Sequence, residues 1–358
     1  MGFETFLGNE KAVSGVRGML ASGAVPGALL FVGSDGVGKK TLALMLAKAL
    51  NCERLRDDFC GECRRCRKTE EMIRVSREDL ARRREIKDSG RRVEGLVYFD
   101  VQLIEPITRF ILIEQIRQLR VAAYTRPFEL QRRVFILDQA QTAHWQAVDI
   151  LLKVLEEPPE TSHFILVCPN LHQLKATLRS RCHRVAFQPV ADPVLEDILQ
   201  KGKKLPAAHL KLATRIAAGS IASAGNLNLT EFQTRRQPWI DFLNGVTAKK
   251  LSSMMPGDWK AVFDSSKSLA DSRSEIEAEL RIGYSLLADI LQILETGSDE
   301  RVINLDLVSR LRAWAAKLGL EGINRLAAGL DSAYRLQNRN INQQLGWEAL
   351  ATELIARG

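Results

Sequence analysis

Two hydrophobic rhythms share the first half of the chain. Short apolar runs at 29–32, 133–137, 164–167 and 183–187 read as buried strands, and 97–106 carries a fifth strand-like pattern. Between them, apolar residues three and four apart predict helices over 9–22, 41–51, 113–123, 146–155 and 174–181. Strands alternating with helices imply a parallel α/β sheet. After Gln188-Pro189 the strand rhythm stops. Helices are predicted over 193–200, 205–218, 232–244, 259–268, 273–295, 305–318, 320–337 and 341–356, punctuated by Gly and Ser. The pattern divides the chain into an α/β domain (1–187), a small helical middle (188–229) and an all-helical end (230–358).

The strand at 29–32 runs into Gly33-Ser-Asp-Gly36-Val-Gly38-Lys39, and a helix follows. This order is a P-loop signature. Glycines let backbone N–H groups face inward around a phosphate, Lys39 reaches the outer phosphates, and the helix N-terminus adds favourable dipole charge. One position departs: where Ser or Thr ordinarily offers a hydroxyl to Mg²⁺ stands Lys40, with Thr41 one place late. A P-loop also needs a strand ending in an acid that helps hold the metal, usually followed by a glutamate that polarises water. The strand Val134-Phe-Ile-Leu ends in Asp138, but the next residue is Gln139, whose amide cannot accept a proton from water. Gly33, Gly36, Gly38, Lys39, Lys40, Thr41 and Asp138 are therefore the candidate residues for holding ATP or ADP, without efficient hydrolysis.

Four of the six cysteines, Cys52, Cys60, Cys63 and Cys66, fall inside fifteen residues with the spacing C-x7-C-x2-C-x2-C. Two-residue gaps between reduced thiols suit tetrahedral Zn²⁺ better than disulfides, and four thiolates leave no open catalytic position. The five histidines are scattered without ligand spacing.

Net charge is +8 in 358 residues, with basic and acidic side chains interleaved, so a polyanionic partner is only mildly favoured. Residues 67–95 form a dense mixed-charge stretch that reads as a solvated insertion, helical or partly disordered. Its run Arg82-Arg-Arg84 is a candidate contact for nucleic acid. No apolar run approaches the ~18 residues that span a bilayer, and the N-terminal residues predict neither a secretory signal nor lipidation, which leads to a cytoplasmic expectation.

Further along, Ile150-Leu-Leu-Lys-Val-Leu-Glu-Glu-Pro-Pro159, Phe164-Ile-Leu-Val and Thr177-Leu-Arg-Ser-Arg-Cys182 follow the P-loop in order. Together they resemble the clamp-loader branch of the AAA+ proteins. The cysteine cluster after the first P-loop helix is similar to that of the bacterial DNA polymerase III gamma/tau and delta-prime subunits. The stretch from Phe110 to Asp138 and the segment Asn340-Ile-Asn342-Gln-Gln-Leu345 look most like the delta-prime branch. The resemblance covers nearly the whole chain, with residues 67–95 the main departure.

This resemblance implies an AAA+ module with a helical lid and a C-terminal helical collar. It also implies a ring shared with gamma/tau and delta subunits that loads a sliding clamp onto primed DNA. Arg181 of Ser180-Arg181-Cys182 would be an arginine finger acting on a neighbour's ATP; the residues alone favour a structural salt bridge at a helix end. In the lid, where active relatives carry a sensing arginine, Gly219-Ser-Ile-Ala222 has alanine. Lys40, Gln139 and Ala222 each remove a contact of the kind that is worth ~10²–10³ in turnover. The resemblance thus implies a non-motor subunit. Two alternatives stand beside it: a gamma/tau-type ATPase with Thr41 on Mg²⁺, and a DNA-binding module acting through Arg82–Arg84.

Overall fold

The apolar runs form five strands: β1 (Ala28–Val32), β2 (Val101–Ile104), β3 (Arg133–Leu137), β4 (Ser162–Cys168) and β5 (His183–Ala186). All pair in parallel, in the order β2-β3-β4-β1-β5, which bears out the α/β reading. Every residue of β1, β3 and β4 is buried, as expected of central strands covered on both faces. The computed structural model describes residues 2–88, 90–203, 205–249, 251–271, 276–336 and 343–357.

The described residues fall into two compact units, Met1–Leu195 with Gly219–Ala222, and Glu196–Ala218 with Ser223–Gly358. In the first unit the sheet is flanked by α1 (Glu10–Ala21), α2 (Lys39–Asn51), α3 (Arg64–Glu85), α4 (Ile113–Ala123), α5 (Trp145–Glu156) and the single turn α6 (Ala176–Arg179). One apolar layer gathers Leu29, Phe31, Leu42, Leu46, Val134 and Ile136 with residues of α1 and α3. The opposite face packs Leu30, Phe135, Phe164 and Leu166 against α4 and α5.

Helix α3 corrects the expectation for residues 67–95. It is 22 residues long and buries Cys66, Thr69, Met72, Ile73, Ser76, Leu80 and Arg83, a stripe at helical spacing that packs on α2 and β2. Ser76 ties it to the sheet, donating to the Leu103 carbonyl (3.1 Å) and accepting from the Leu103 amide (3.0 Å) and Gln102 Nε2 (2.9 Å). Over residues 67–85 the stretch is not a solvated insertion but a helix that is part of the sheet's cover, whereas Lys87, Asp88, Gly90, Arg91, Glu94 and Gly95 are exposed.

The run Arg82–Arg84 is likewise engaged. Arg83 is buried, pairs with Asp79 at 2.5 Å and donates to the carbonyls of Arg92, Glu94 and Gly95. Arg84 donates to Glu105 (2.7 Å) and the Pro106 carbonyl (3.1 Å). Arg82 and Arg84 both reach solvent, and Arg82 pairs with Asp79.

Glu196 to the C-terminus, apart from Gly219–Ala222, belongs to the second unit, which is helical. Helix α7 (Asp192–Lys203) leads into it, followed by α8 (Ala207–Ala217), α9 (Ile221–Asn226), α10 (Leu229–Ala248), α11 (Pro256–Asp271), α12 (Ile276–Thr296), α13 (Val308–Leu336) and α14 (Gln343–Arg357). Its core centres on Trp239, Phe242 and Trp347, with Trp239 and Trp347 edge-to-face at 5.2 Å. A buried polar cluster crosses this core: Arg236 donates to Asn304 (2.7 Å) and Asp306 (2.9 Å), while Asp289 accepts from the amides of Ile303 and Asn304. The two helices expected at 305–318 and 320–337 follow one another directly in α13, whose helical backbone breaks at Gly319 (φ 57°, ψ −174°). The starts expected at 273 and 341, and residues 340–342 of the Asn340–Leu345 segment, lie outside the described residues.

Candidate functional site

Strand β1 ends at Val32 on the carboxyl edge of the sheet, the edge where parallel sheets place their ligands. The chain then turns through Gly33, Gly36 and Gly38, all at positive φ, into α2. Gly36 (φ 76°) has to be glycine on two counts, since a Cβ there would overlap the Ser220 hydroxyl. At Gly38 (φ 98°) a Cβ would lie 2.7 Å from the Phe6 ring. The turn 219–222 closes on the loop, with the Ala222 amide donating to the Gly36 carbonyl at 3.2 Å. Ala222 therefore sits beside the P-loop but brings no cation to it.

Lys39 opens α2 and is buried. Its ammonium folds back onto the loop, donating to the carbonyls of Gly33 (2.5 Å) and Ser34 (2.6 Å), with Asp35 at 3.6 Å. Burial lowers its pKa from the ordinary lysine value, against the opposing pull of Asp35 and Asp138.

Lys40 points elsewhere. Its ammonium pairs with Glu105 and lies 3.3 Å from Asp138 Oδ2. The register explains this meeting: Ile104 pairs with Leu137, so Glu105 and Asp138 leave neighbouring strands side by side. Arg84 holds the other oxygen of Glu105 at 2.7 Å. Burial opposes ionisation of Glu105, but the hydrogen bonds and charges of Lys40 and Arg84 outweigh it and hold its pKa below the ordinary range. Glu105 was missed by sequence reasoning because nothing marks a lone acid after a short strand. The partner's identity would have required the strand register.

A cavity of about 870 Å³ joins these residues. Gly36, Gly38, Lys39, Lys40, Thr41, Asp138, Gln139 and Ala222 line it, and Thr5, Phe6, Leu7, Met45 and Phe59 give it an apolar side. The loop and Lys39 fit a nucleotide phosphate. A magnesium ion does not fit the residues present, because the ammonium of Lys40 already holds the Asp138 carboxylate that would receive it. Gln139 is exposed, in the left-handed region (φ 55°), and its amide N–H donates to Asp138 Oδ1 at 3.0 Å.

Arg181 does not line this cavity. It follows α6 and is held by Glu156, the last residue of α5, with Nε 2.9 Å and Nη2 2.5 Å from one carboxylate oxygen. Nη1 donates to the Thr177 carbonyl at 2.9 Å. Within one chain this is the helix-end salt bridge.

The four cysteines do come together. All four sulfurs lie within 4.8 Å of one another. Cys52 Sγ and Cys60 Sγ are 3.8 Å apart, too far for a disulfide. Zn–S bonds of about 2.3 Å in a tetrahedron give S···S separations of about 3.8 Å, so the set fits zinc. Amides of Cys63 and Cys66 donate to Cys60 Sγ (3.3 Å) and Cys63 Sγ (3.4 Å), the support that thiolates need. Donation from the Glu62 and Cys63 amides brings the Cys60 thiol down to about 6, whereas burial raises Cys66.

The family model described as DNA polymerase III, delta subunit, matches residues 8–191, just over half of the chain. A DNA polymerase III subunit delta' of Bacillus subtilis is 25% identical over 88% of this chain and 87% of its own length. A subunit gamma of Buchnera aphidicola is 27% identical over 63% of this chain, and a subunit tau of Escherichia coli is 28% identical over 64%. The alignments take in 57% of that gamma subunit and 32% of that tau subunit. A solved gamma subunit-related protein of Thermotoga maritima aligns over 96% of this chain and 98% of its own, at 15% identity and a TM-score of 0.45. The chain belongs to the DNA polymerase III delta-subunit family, among the clamp-loader proteins of replication.

Proposed function

We propose that this protein is a non-motor, delta-prime-like subunit of the clamp loader. It would work in a ring with gamma/tau and delta subunits that places a sliding clamp on primed DNA in the cytoplasm. The observation that carries the reading is the Lys40 ammonium on Asp138, which puts a side-chain cation where an ATPase needs its metal. Gln139 in place of a catalytic base and Ala222 in place of a sensing arginine support the same conclusion.

In this reading Arg181 serves a neighbouring subunit. Support comes from its absence from its own chain's cavity and from a partly exposed guanidinium oriented by Glu156 and Thr177. A planar guanidinium of this kind can stabilise charge developing on a neighbour's phosphates. Cys52, Cys60, Cys63 and Cys66 would hold a structural zinc. Residues 188–229 would act as the lid and 230–358 as the collar.

The test measures ATP hydrolysis by the isolated chain and by a reconstituted ring. The reading expects no turnover alone and DNA- and clamp-stimulated turnover in the ring. Steady hydrolysis by the isolated chain would instead establish a gamma/tau-type motor with Thr41 on the metal.

A further inference from the structure

Lys39 and Lys40 are adjacent, yet the opening turn of α2 sends them to different places: Lys39 to the carbonyls of the loop, Lys40 to Glu105 and Asp138. We infer that Lys40 is the resident counter-cation of this P-loop, so that the cradle takes a nucleoside di- or triphosphate free of divalent metal. In an ordinary P-loop the residue after the lysine contributes a hydroxyl to a metal that bridges the phosphates and the acidic strand end. Here the same position contributes a positive charge to the same acid, and both groups line the cavity.

Three features hold the ammonium there. Glu105 binds it from a side chain that is only 11% exposed. Arg84 fixes the far oxygen of Glu105, which leaves the near one turned to Lys40. Asp138 is fixed in turn by the amide of Gln139. A divalent ion entering between Asp138 and a phosphate would meet this ammonium at close range and would have to expel it from two carboxylates. The polyphosphate itself meets no such barrier. Lys39 can exchange its loop carbonyls for phosphate oxygens, and Lys40 is 35% exposed and faces the cavity. Two monovalent ammonium groups then stand where a lysine and a divalent ion stand elsewhere, one positive charge fewer, and Lys40 shares its charge with Glu105 and Asp138.

This inference rests on the P-loop being a phosphate cradle in a non-motor subunit, and its test separates the two. The full-length chain is titrated with a fluorescent ADP analogue (mant-ADP) in magnesium-free buffer and again in millimolar magnesium. Magnesium is omitted rather than chelated, because a strong chelator would also act on a zinc-bearing thiolate cluster. Affinities within about twofold of each other are expected for the natural chain. In Lys40→Ser, affinity without magnesium should fall about tenfold and magnesium should restore it. Binding of the natural chain that tightens about tenfold on adding magnesium would overturn the inference, as would no saturable binding, or a Lys40→Ser chain indifferent to the metal. The natural-chain comparison decides even if the variant fails to fold. ATP turnover by the same samples would sink the non-motor reading, whereas magnesium-dependent binding without turnover would sink only the counter-cation.

Discussion

Lys40 Nζ lies 3.3 Å from Asp138 Oδ2, so the cation at the acidic end of β3 is covalently part of the chain. This ammonium also neutralises Glu105, a largely buried carboxylate that Arg84 holds from the other side.

Replacing Glu105 by Gln leaves Lys40 and Arg84 without their shared anion. The expected loss is about 1–2 kcal/mol of stability, limited because both cations reach solvent, and urea unfolding measures it. The pH dependence has a definite sign. The folded-state pKa of Glu105 is depressed from the ordinary 4.5, so its contribution is fully present above that value and fades as pH falls through the lower folded-state value. Glu105→Gln should flatten the acid limb of the stability profile; an unchanged limb would mean that the pair adds nothing.

Arg181→Ala should lower ATP turnover of a reconstituted ring at least about tenfold while leaving assembly intact. The same change should cost the isolated chain under about 1 kcal/mol, because the bond to Glu156 is partly exposed. A stability loss with unchanged turnover would mark Arg181 as a helix-end brace and nothing more.

One zinc per chain is expected by elemental analysis. Cys63→Ser should abolish it and lower the melting temperature by about 5–10 °C, since the first turn of α3 is built on Cys63 and Cys66. Full stability with no metal present would refute the site.

Neighbouring arginines of α3 should behave in opposite ways. Arg83→Ala removes a buried charge that anchors three backbone carbonyls, and a loss of about 3 kcal/mol is expected. Arg82→Ala should stay within about 0.5 kcal/mol. Neither the full chain nor Arg82→Ala should bind DNA with a salt dependence that tracks this residue; a weaker salt slope in Arg82→Ala would revive the basic-run alternative.

Much of this was legible in the residues. The strands at 133–137 and 183–187 and the helix at 113–123 lie within a residue of their expected bounds, because each is a strongly patterned run between clear breaks. The P-loop and the thiol cluster were legible because their chemistry depends on spacing within one short stretch. Helix α3 was misread for a physical reason: Thr69, Ser76 and Arg83 occupy three of the seven positions of its buried stripe, so a hydrophobic period hardly shows. Ser76 is held there by the Leu103 backbone of the sheet and Arg83 by Asp79 and the carbonyls of Arg92, Glu94 and Gly95, partners that local sequence does not reveal. Glu105 escaped notice for a similar reason. Its importance lies in the pairing of Ile104 with Leu137, which local sequence does not encode.

The glycines of the P-loop have a consequence apart from phosphate. Phe6 presses on the loop at Gly38, Ser220 at Gly36 and Phe187 at Gly33, so the N-terminal segment, the 219–222 turn and the end of β5 all meet there. A side chain at any of the three would wedge these segments apart. The loop is thus a three-way joint of the α/β unit, and a chain that no longer turns over nucleotide would still be obliged to keep it. A nucleotide-binding signature can outlast its reaction for purely mechanical reasons.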